Sequence, residues 1–156
     1  MDARARRRLL AALLEVAEDD GVRAVRITGA GRAFSSGADL NDIRAPDART
    51  PGGLPDVQRL LTERYHPIIT LVRDMEKPVL AAVNGPAAGI GASLVLACDL
   101  IVARESSYFL LAFVNIGLVP DGGSSLLAPR RVGFARAAEI ATLGERIRRH
   151  ARSSGG

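Results

Sequence analysis

The chain has 156 residues, room for one domain with one sizeable core, and no apolar run in it reaches the length of a membrane span. Its single cysteine, Cys98, excludes a disulfide framework and lies in an apolar run, so it reads as a small buried hydrophobe in a reducing cytoplasm. The net charge of +4 is nearly all arginine, gathered at the two ends without interleaved aromatics, which fits a solvated face and a polar tail rather than a nucleic-acid surface.

The opening MDARARRRLLAALLEV lacks the apolar stretch and small-residue cleavage site of a secretory leader, and its acidic residues argue against an organelle transit peptide. Leu9, Leu10, Leu13, Leu14 and Ala17 recur at helical spacing, predicting an amphipathic helix over 4–18 that Asp19, Asp20 and Gly21 stop. A strand is expected over 22–28, with Val25 and Ile27 on one face. A Gly/Ser loop follows over 29–39, then a mobile Pro/Gly/Asp-rich stretch over 41–56. Residues 57–75 read as a helix kinked or broken at Pro67. Val79–Val83 is a buried strand, residues 90–98 a helix and 99–103 a strand. Residues 108–114 are apolar, helices are expected near 124–130 and over 134–145, and the tail 148–156 lacks an apolar face. The alternation of helix and strand predicts an α/β fold with a largely parallel sheet, organised as one domain over 1–147 and a disordered tail. In such sheets ligands sit at strand-to-helix junctions.

Two glycine-containing junctions and one turn therefore draw attention. GAGRAFSSGAD (29–39) has Phe34 where a dinucleotide fingerprint needs a third glycine, so it is poor evidence for a nicotinamide cofactor. Gly37 allows a backbone to approach closely, or simply makes a tight turn. NGPAAGIGASL (84–94) leads glycines into a helix start, where free N–H groups and the positive dipole end favour an anion or a developing oxyanion; close helix packing explains the same residues. In GLVPDGG (117–123), Asp121 is either a turn residue or an acid.

Taken in order and at their separations, FSSGADL, KPVLAAVNGPAAGIGASLVLACDLIVA and AFVNIGLVPDGGSSLLAPRRVG closely resemble the enoyl-CoA hydratase/isomerase, or crotonase, family over residues 2–146. The resemblance implies a crotonase-like spiral of ββα units, shortened at both ends so that the first strands and the C-terminal helices are missing. It implies an acyl-CoA thioester as substrate, with coenzyme A part of that substrate and no separate cofactor or metal. Homotrimers or hexamers are the family tendency. By the same resemblance, the backbone N–H groups of Ser36 and Ile90 would hold the thioester oxygen. Ala38, Asp39 and Leu40 would wrap coenzyme A, and Arg32 would lie near its nucleotide. Phe34 and Gly89 join the binding residues, and Phe113, with Val114, Leu118 and Val119, would supply an apolar wall.

The two glutamates that family hydratases use to activate water fall at Ser93 and Phe113, so neither acid is present. Asp121 instead matches the acid of family isomerases that carry it in a G-L-x-P-D context, and RYHPIITL (64–71) is similar to the phenylacetate-pathway group. The resemblance thus implies an enoyl-CoA isomerase, with a hydratase of the same family as the alternative. The polar RRHARSSGG end, read as a fragment or a shifted frame, motivates a non-catalytic remnant as a further expectation. A serine hydrolase is disfavoured because Gly89 stands where protease relatives of the fold carry their serine, and His66 and His150 lie outside every motif.

Overall fold

The computed structural model describes residues 1–39, 41 and 48–148. Helix α1 (Ala3–Glu18) starts at Asp2, whose carboxylate accepts from Ala5 N at 2.7 Å, an N-cap on one of the orphan donors of the first turn. Its far end is held by Lys77, whose Nζ donates to the carbonyls of Val16, Ala17 and Asp19. Strand β1 is shorter than expected (Val25–Thr28), because Val22 N donates to Asp19 O and is drawn into the turn that ends α1. Ile27 is buried and Val25 half-buried on the expected face.

The expected break at Pro67 takes another form. Helix α2 (Val57–Leu60) runs into a π-helical turn (Leu61–Tyr65) and then into α3 (His66–Asp74), with Pro67 in the first turn of α3. A proline lacks its N–H and crowds the carbonyl four residues back; the wider π turn just before it absorbs both effects without ending the helix. The stretch expected to be mobile is closed over 48–56 by a turn in which Thr50 N donates to Leu54 O and Arg49 bridges Pro55.

Strands β2 (Val79–Val83), β3 (Ala87–Ala88), β4 (Leu100–Ala103), β5 (Tyr108–Leu110) and β6 (Ile147–Arg148) complete the sheets. Between them lie helices α4 (Ile90–Ala97), α5 (Ser124–Val132) and α6 (Phe134–Leu143). One sheet has the order β1-β2-β4, all parallel; the other is β3-β5-β6, parallel and then antiparallel. Ser35 adds a parallel bridge to Ala87. The chain therefore lays β1, β2 and β4 in the first sheet and Ser35, β3 and β5 beside one another in the second, with a helix closing each turn. This is the ββα spiral that the resemblance implies. Arg148, assigned to the tail from the sequence, instead pairs with Tyr108; residues 149–156 lie outside the described residues.

Helix α4 is the axis of the core. All its residues but Leu96 are buried, which is why its sequence is apolar on every side. Its C-terminal carbonyls are capped by Arg131, whose guanidinium donates to Leu96 O at 3.1 Å and also to Cys98 O. Cys98 itself is fully buried, and desolvation pushes its thiol up to about 12, so it remains an unreactive thiol. Among the described residues, no helix is long and apolar enough to cross a membrane.

Candidate active site

The site begins with the end of a hydrogen-bond ladder. Phe34 N and Ser35 N both donate to Pro86 O, Ala88 N donates to Ser35 O, and Gly89 N donates to Leu110 O. The next residues along the two chains are Ser36 and Ile90. Among the described residues, the N–H groups of neither has an acceptor. The ladder stops because both chains turn away at glycine: Gly37 has φ 98° and Gly89 has φ 51°, conformations that L side chains rarely adopt. The loop before Ser36 is fastened by Asn84. Its Oδ1 accepts from Gly29 N at 3.1 Å, and its Nδ2 donates to Gly29 O and Gly31 O at 3.0 Å each.

Ser36 and Ile90 line one cleft of about 210 Å³ together with Asp121. Ala38, Gly89 and Phe113 also line it, as do Leu118 and Ile116. The opposite wall comes from Val57, Leu60, Leu61 and Tyr65 on α2 and the π turn. Asp121 is the acid of this apolar space. Its Oδ1 is buried without a hydrogen-bond partner among the described residues, and burial pushes the carboxyl up to about 6. Its main-chain carbonyl, by contrast, accepts from Ser93 Oγ at 3.0 Å, Ser124 Oγ at 2.7 Å and Ser124 N at 3.0 Å.

The structure thus brings Ser36, Ile90, Asp121, Ala38, Gly89 and Phe113 together. Other expected residues fall elsewhere. Phe34 packs its ring into the main core, so it supports the loop from behind instead of lining the cleft. Arg32 is exposed on the turn beyond the Asn84 clamp, and the Asp39 carboxylate accepts from Asn41 N at 2.9 Å; neither lines the cleft. Leu40 lies outside the described residues. Of the expected apolar wall, Phe113 and Leu118 are in place, but Val114 and Val119 face solvent, at 41% and 80% exposure. The short 3-10 turn Val114–Ile116 ends at left-handed Gly117, and Ile116, itself 58% exposed, lines the cleft at its open edge instead. No histidine lines the cleft among the described residues; His66 is exposed.

The wall from α2 and the π turn was not read as part of the site. Positions 57, 60, 61 and 65 do share a helical face, which the 3.6-residue period could have flagged, but periodicity alone does not say which cavity a face meets. Ser93 was noted only for the glutamate it lacks; its bond to Asp121 spans 28 residues and is invisible to local pattern.

Comparison with known proteins agrees with this architecture. The family described as enoyl-CoA hydratase/isomerase matches residues 1–155. The chain is 43% identical over 135 residues to the 1,2-epoxyphenylacetyl-CoA isomerase of Escherichia coli (strain K12), covering 86% of this chain and 50% of that protein. It is 41% identical over 133 residues to 4-chlorobenzoyl coenzyme A dehalogenase-1 of an Arthrobacter species, covering 83% of this chain and 46% of that one. Among solved structures, an enoyl-CoA hydratase from Polaromonas sp. JS666 superposes with a TM-score of 0.79 at 38% identity, over 90% of this chain and 53% of that one. The chain spans about half the length of the relatives it matches. On fold, motifs and family match together, this chain belongs to the enoyl-CoA hydratase/isomerase family.

Proposed function

We propose that the cleft binds an acyl-CoA thioester and that the chain acts as an enoyl-CoA isomerase. The observation that carries this reading is the half-buried Asp121 carboxyl, its Oδ1 buried without a partner among the described residues, in the same apolar cleft as the unengaged N–H groups of Ser36 and Ile90. In the proposed reaction the thioester oxygen lies between those two N–H groups. The Asp121 carboxylate removes a proton from a carbon next to the conjugated system; the electron pair moves onto the thioester oxygen as an enolate. Asp121, now a carboxylic acid, returns the proton at another carbon, the enolate collapses, and the double bond has moved. Two preorganised donors aimed at an enolate oxygen are each worth ~10²–10³ in rate. A carboxyl titrating near 6 is ionised enough at neutral pH to accept a proton and acidic enough to return it.

Hydration by the same cleft is the weaker reading. It needs a second carboxylate to orient water, and Ser93 and Phe113 occupy the positions where the resemblance would put the pair. The names of the relatives, which include an isomerase, a hydratase and a dehalogenase, leave the reaction open; the position of Asp121 in the cleft is what favours isomerisation.

The test is an assay of the purified chain against enoyl-CoA and ring-epoxide CoA esters, with hydration and isomerisation read separately. Isomerisation abolished by Asp121→Asn supports the proposal. Full isomerase activity in that variant, or hydration alone in the wild type, overturns it. Coenzyme A esters that fail to bind, in a chain that aggregates, would mark a non-catalytic remnant. Light scattering on the same sample reads whether this chain forms the homo-oligomer that is the family tendency.

A further inference from the structure

We propose that Ser93 is a positioning residue for Asp121: its buried hydroxyl fastens the main chain of the 121–122 turn to the first turn of α4, so that the acid is held in register with the N–H of Ile90. This rests on the reading of Asp121 as the acid and base.

The starting point is that, among the described residues, no hydrogen bond holds the Asp121 carboxyl by its own oxygens. Oδ1 is buried without a partner among the described residues. Its direction must therefore be imposed through the main chain. There the Asp121 carbonyl takes three donors, from Ser93 Oγ, Ser124 Oγ and Ser124 N, although a carbonyl oxygen has two lone pairs. The donors come from two helices, α4 and α5, so the turn is gripped from both sides. Ser93 and Ser124 are each 0% exposed.

A serine in a buried helix ordinarily bonds the carbonyl four residues back. Here that contact, to Gly89 O, is long at 3.5 Å, and the shorter one goes to Asp121 O. The turn has no slack either. Gly122 has φ 56°, and a Cβ there would lie 2.6 Å from Ile90 Cδ1 and 2.8 Å from Ser93 Cβ. The acid's turn thus rests against both the donor residue Ile90 and the clamp residue Ser93. Tyr65 is the other titratable side chain lining the cleft among the described residues, so the carboxyl has no charged neighbour there to orient it.

The experiment follows the Asp121 carboxyl directly, by carbon-13 NMR titration of the full chain, with its signal assigned by loss in Asp121→Asn. Ser93→Ala is compared with wild type and with Ser107→Ala, which removes another buried hydroxyl, one that donates to Val83 O at 2.9 Å away from the cleft. The expected result is a folded Ser93→Ala whose Asp121 titrates closer to an ordinary carboxylate, while Ser107→Ala loses thermal stability with Asp121 unmoved. In turnover, kcat of Ser93→Ala falls about tenfold or more with KM nearly constant, as expected when a reacting group is displaced by a fraction of an ångström. A Ser93→Ala protein with wild-type titration and kcat overturns the proposal and leaves Ser93 a packing hydroxyl. Should Ser93→Ala fail to fold, the nearly isosteric Ser93→Cys carries the same comparison. The titration needs no turnover, so it separates the two claims. Full isomerisation by Asp121→Asn removes the acid but not the clamp, and an unmoved titration removes the clamp but not the acid.

Discussion

Gly37 and Gly89 meet face to face: a Cβ built on Gly89 would lie 3.7 Å from Gly37 Cα, and one on Gly37 would lie 3.8 Å from Gly89 Cα. One glycine follows Ser36 and the other precedes Ile90, so this contact sets the spacing of the two unengaged N–H groups. Gly37→Ala meets a positive φ of 98° and the Ala88 carbonyl oxygen at 3.2 Å. The expected cost is ~1–3 kcal/mol of stability, read as a lower denaturant midpoint. The two N–H groups are also pushed apart, so isomerisation is expected to fall ~10²-fold. An active, stable Gly37→Ala would mean that the donor spacing does not matter.

Asp121 ties stability to pH with a definite sign. Its folded pKa of about 6 lies above the ordinary aspartate value of 3.8, so the fold prefers the neutral acid. The associated stability is complete below pH 4 and declines as pH rises through 4–6; above 6 the ionised, half-buried carboxylate remains a constant penalty. Asp121→Asn removes that penalty. Its melting temperature is expected to match wild type near pH 4 and to exceed it at pH 8, by roughly 2–4 °C for each kcal/mol recovered. Thermal melts at the two pH values decide it, and an equal difference at both would contradict the assignment.

The same ionisation appears in the rate. An acid limb near pH 6 is expected in kcat/KM, because the free protein must carry the carboxylate to accept a proton. A flat profile between pH 5 and 8 would count against Asp121 as the base.

Asn84 discriminates between charge and shape. Asn84→Ala removes the clamp on Gly29 and Gly31 and leaves several backbone groups without partners, for ~2–3 kcal/mol. Asn84→Asp keeps the shape, but it replaces the donating Nδ2 by a carboxylate oxygen that faces the carbonyls of Gly29, Gly31 and Ala33. It is expected to be at least as destabilising as alanine, by chemical denaturation at pH 7. A neutral outcome for the aspartate would show that Asn84 holds the loop through Oδ1 alone.

Restoring an acid at position 93 is not expected to make a hydratase. Ser93 is wholly buried against Gly122, and a glutamate there must either disrupt the turn or bury an unpaired charge. Ser93→Glu is expected to lose more than ~3 kcal/mol and to gain no hydration of an enoyl-CoA ester. A folded variant that hydrates would show that the Asp121 turn yields where the structure has it locked.

Much of this protein was legible in the amino-acid order because its signals are local. The helix-spaced leucines of α1, the apolar Val79–Val83 run and the all-round apolar α4 follow from burial periodicity, and each formed within a few residues of expectation. Glycines at 37, 89 and 117 mark backbone turns that other residues resist, so the junctions could be located from residue type alone. The motif residues Ser36, Ile90 and Asp121 were expected to share a site on the strength of a resemblance, and they do line one cleft.

What tertiary structure alone decided are relationships between segments far apart in the chain. Pattern places Phe34 beside Ser36, but packing turns its ring into the core. Pattern groups Val114 and Val119 with Phe113, but both face solvent, and the half-exposed Ile116 lines the cleft in their place. Tyr65 enters the cleft from a helix whose sequence marks only a break at Pro67, and Ser93 reaches Asp121 across 28 residues. The physical reason is the same in each case. Periodicity and propensity act within a turn or two, whereas the direction of a side chain and the partner of a buried hydroxyl are fixed only when the two sheets and α4 close around one core. For the opening pair, residue type alone made Gly37 and Gly89 turns; only the closed core put them in contact.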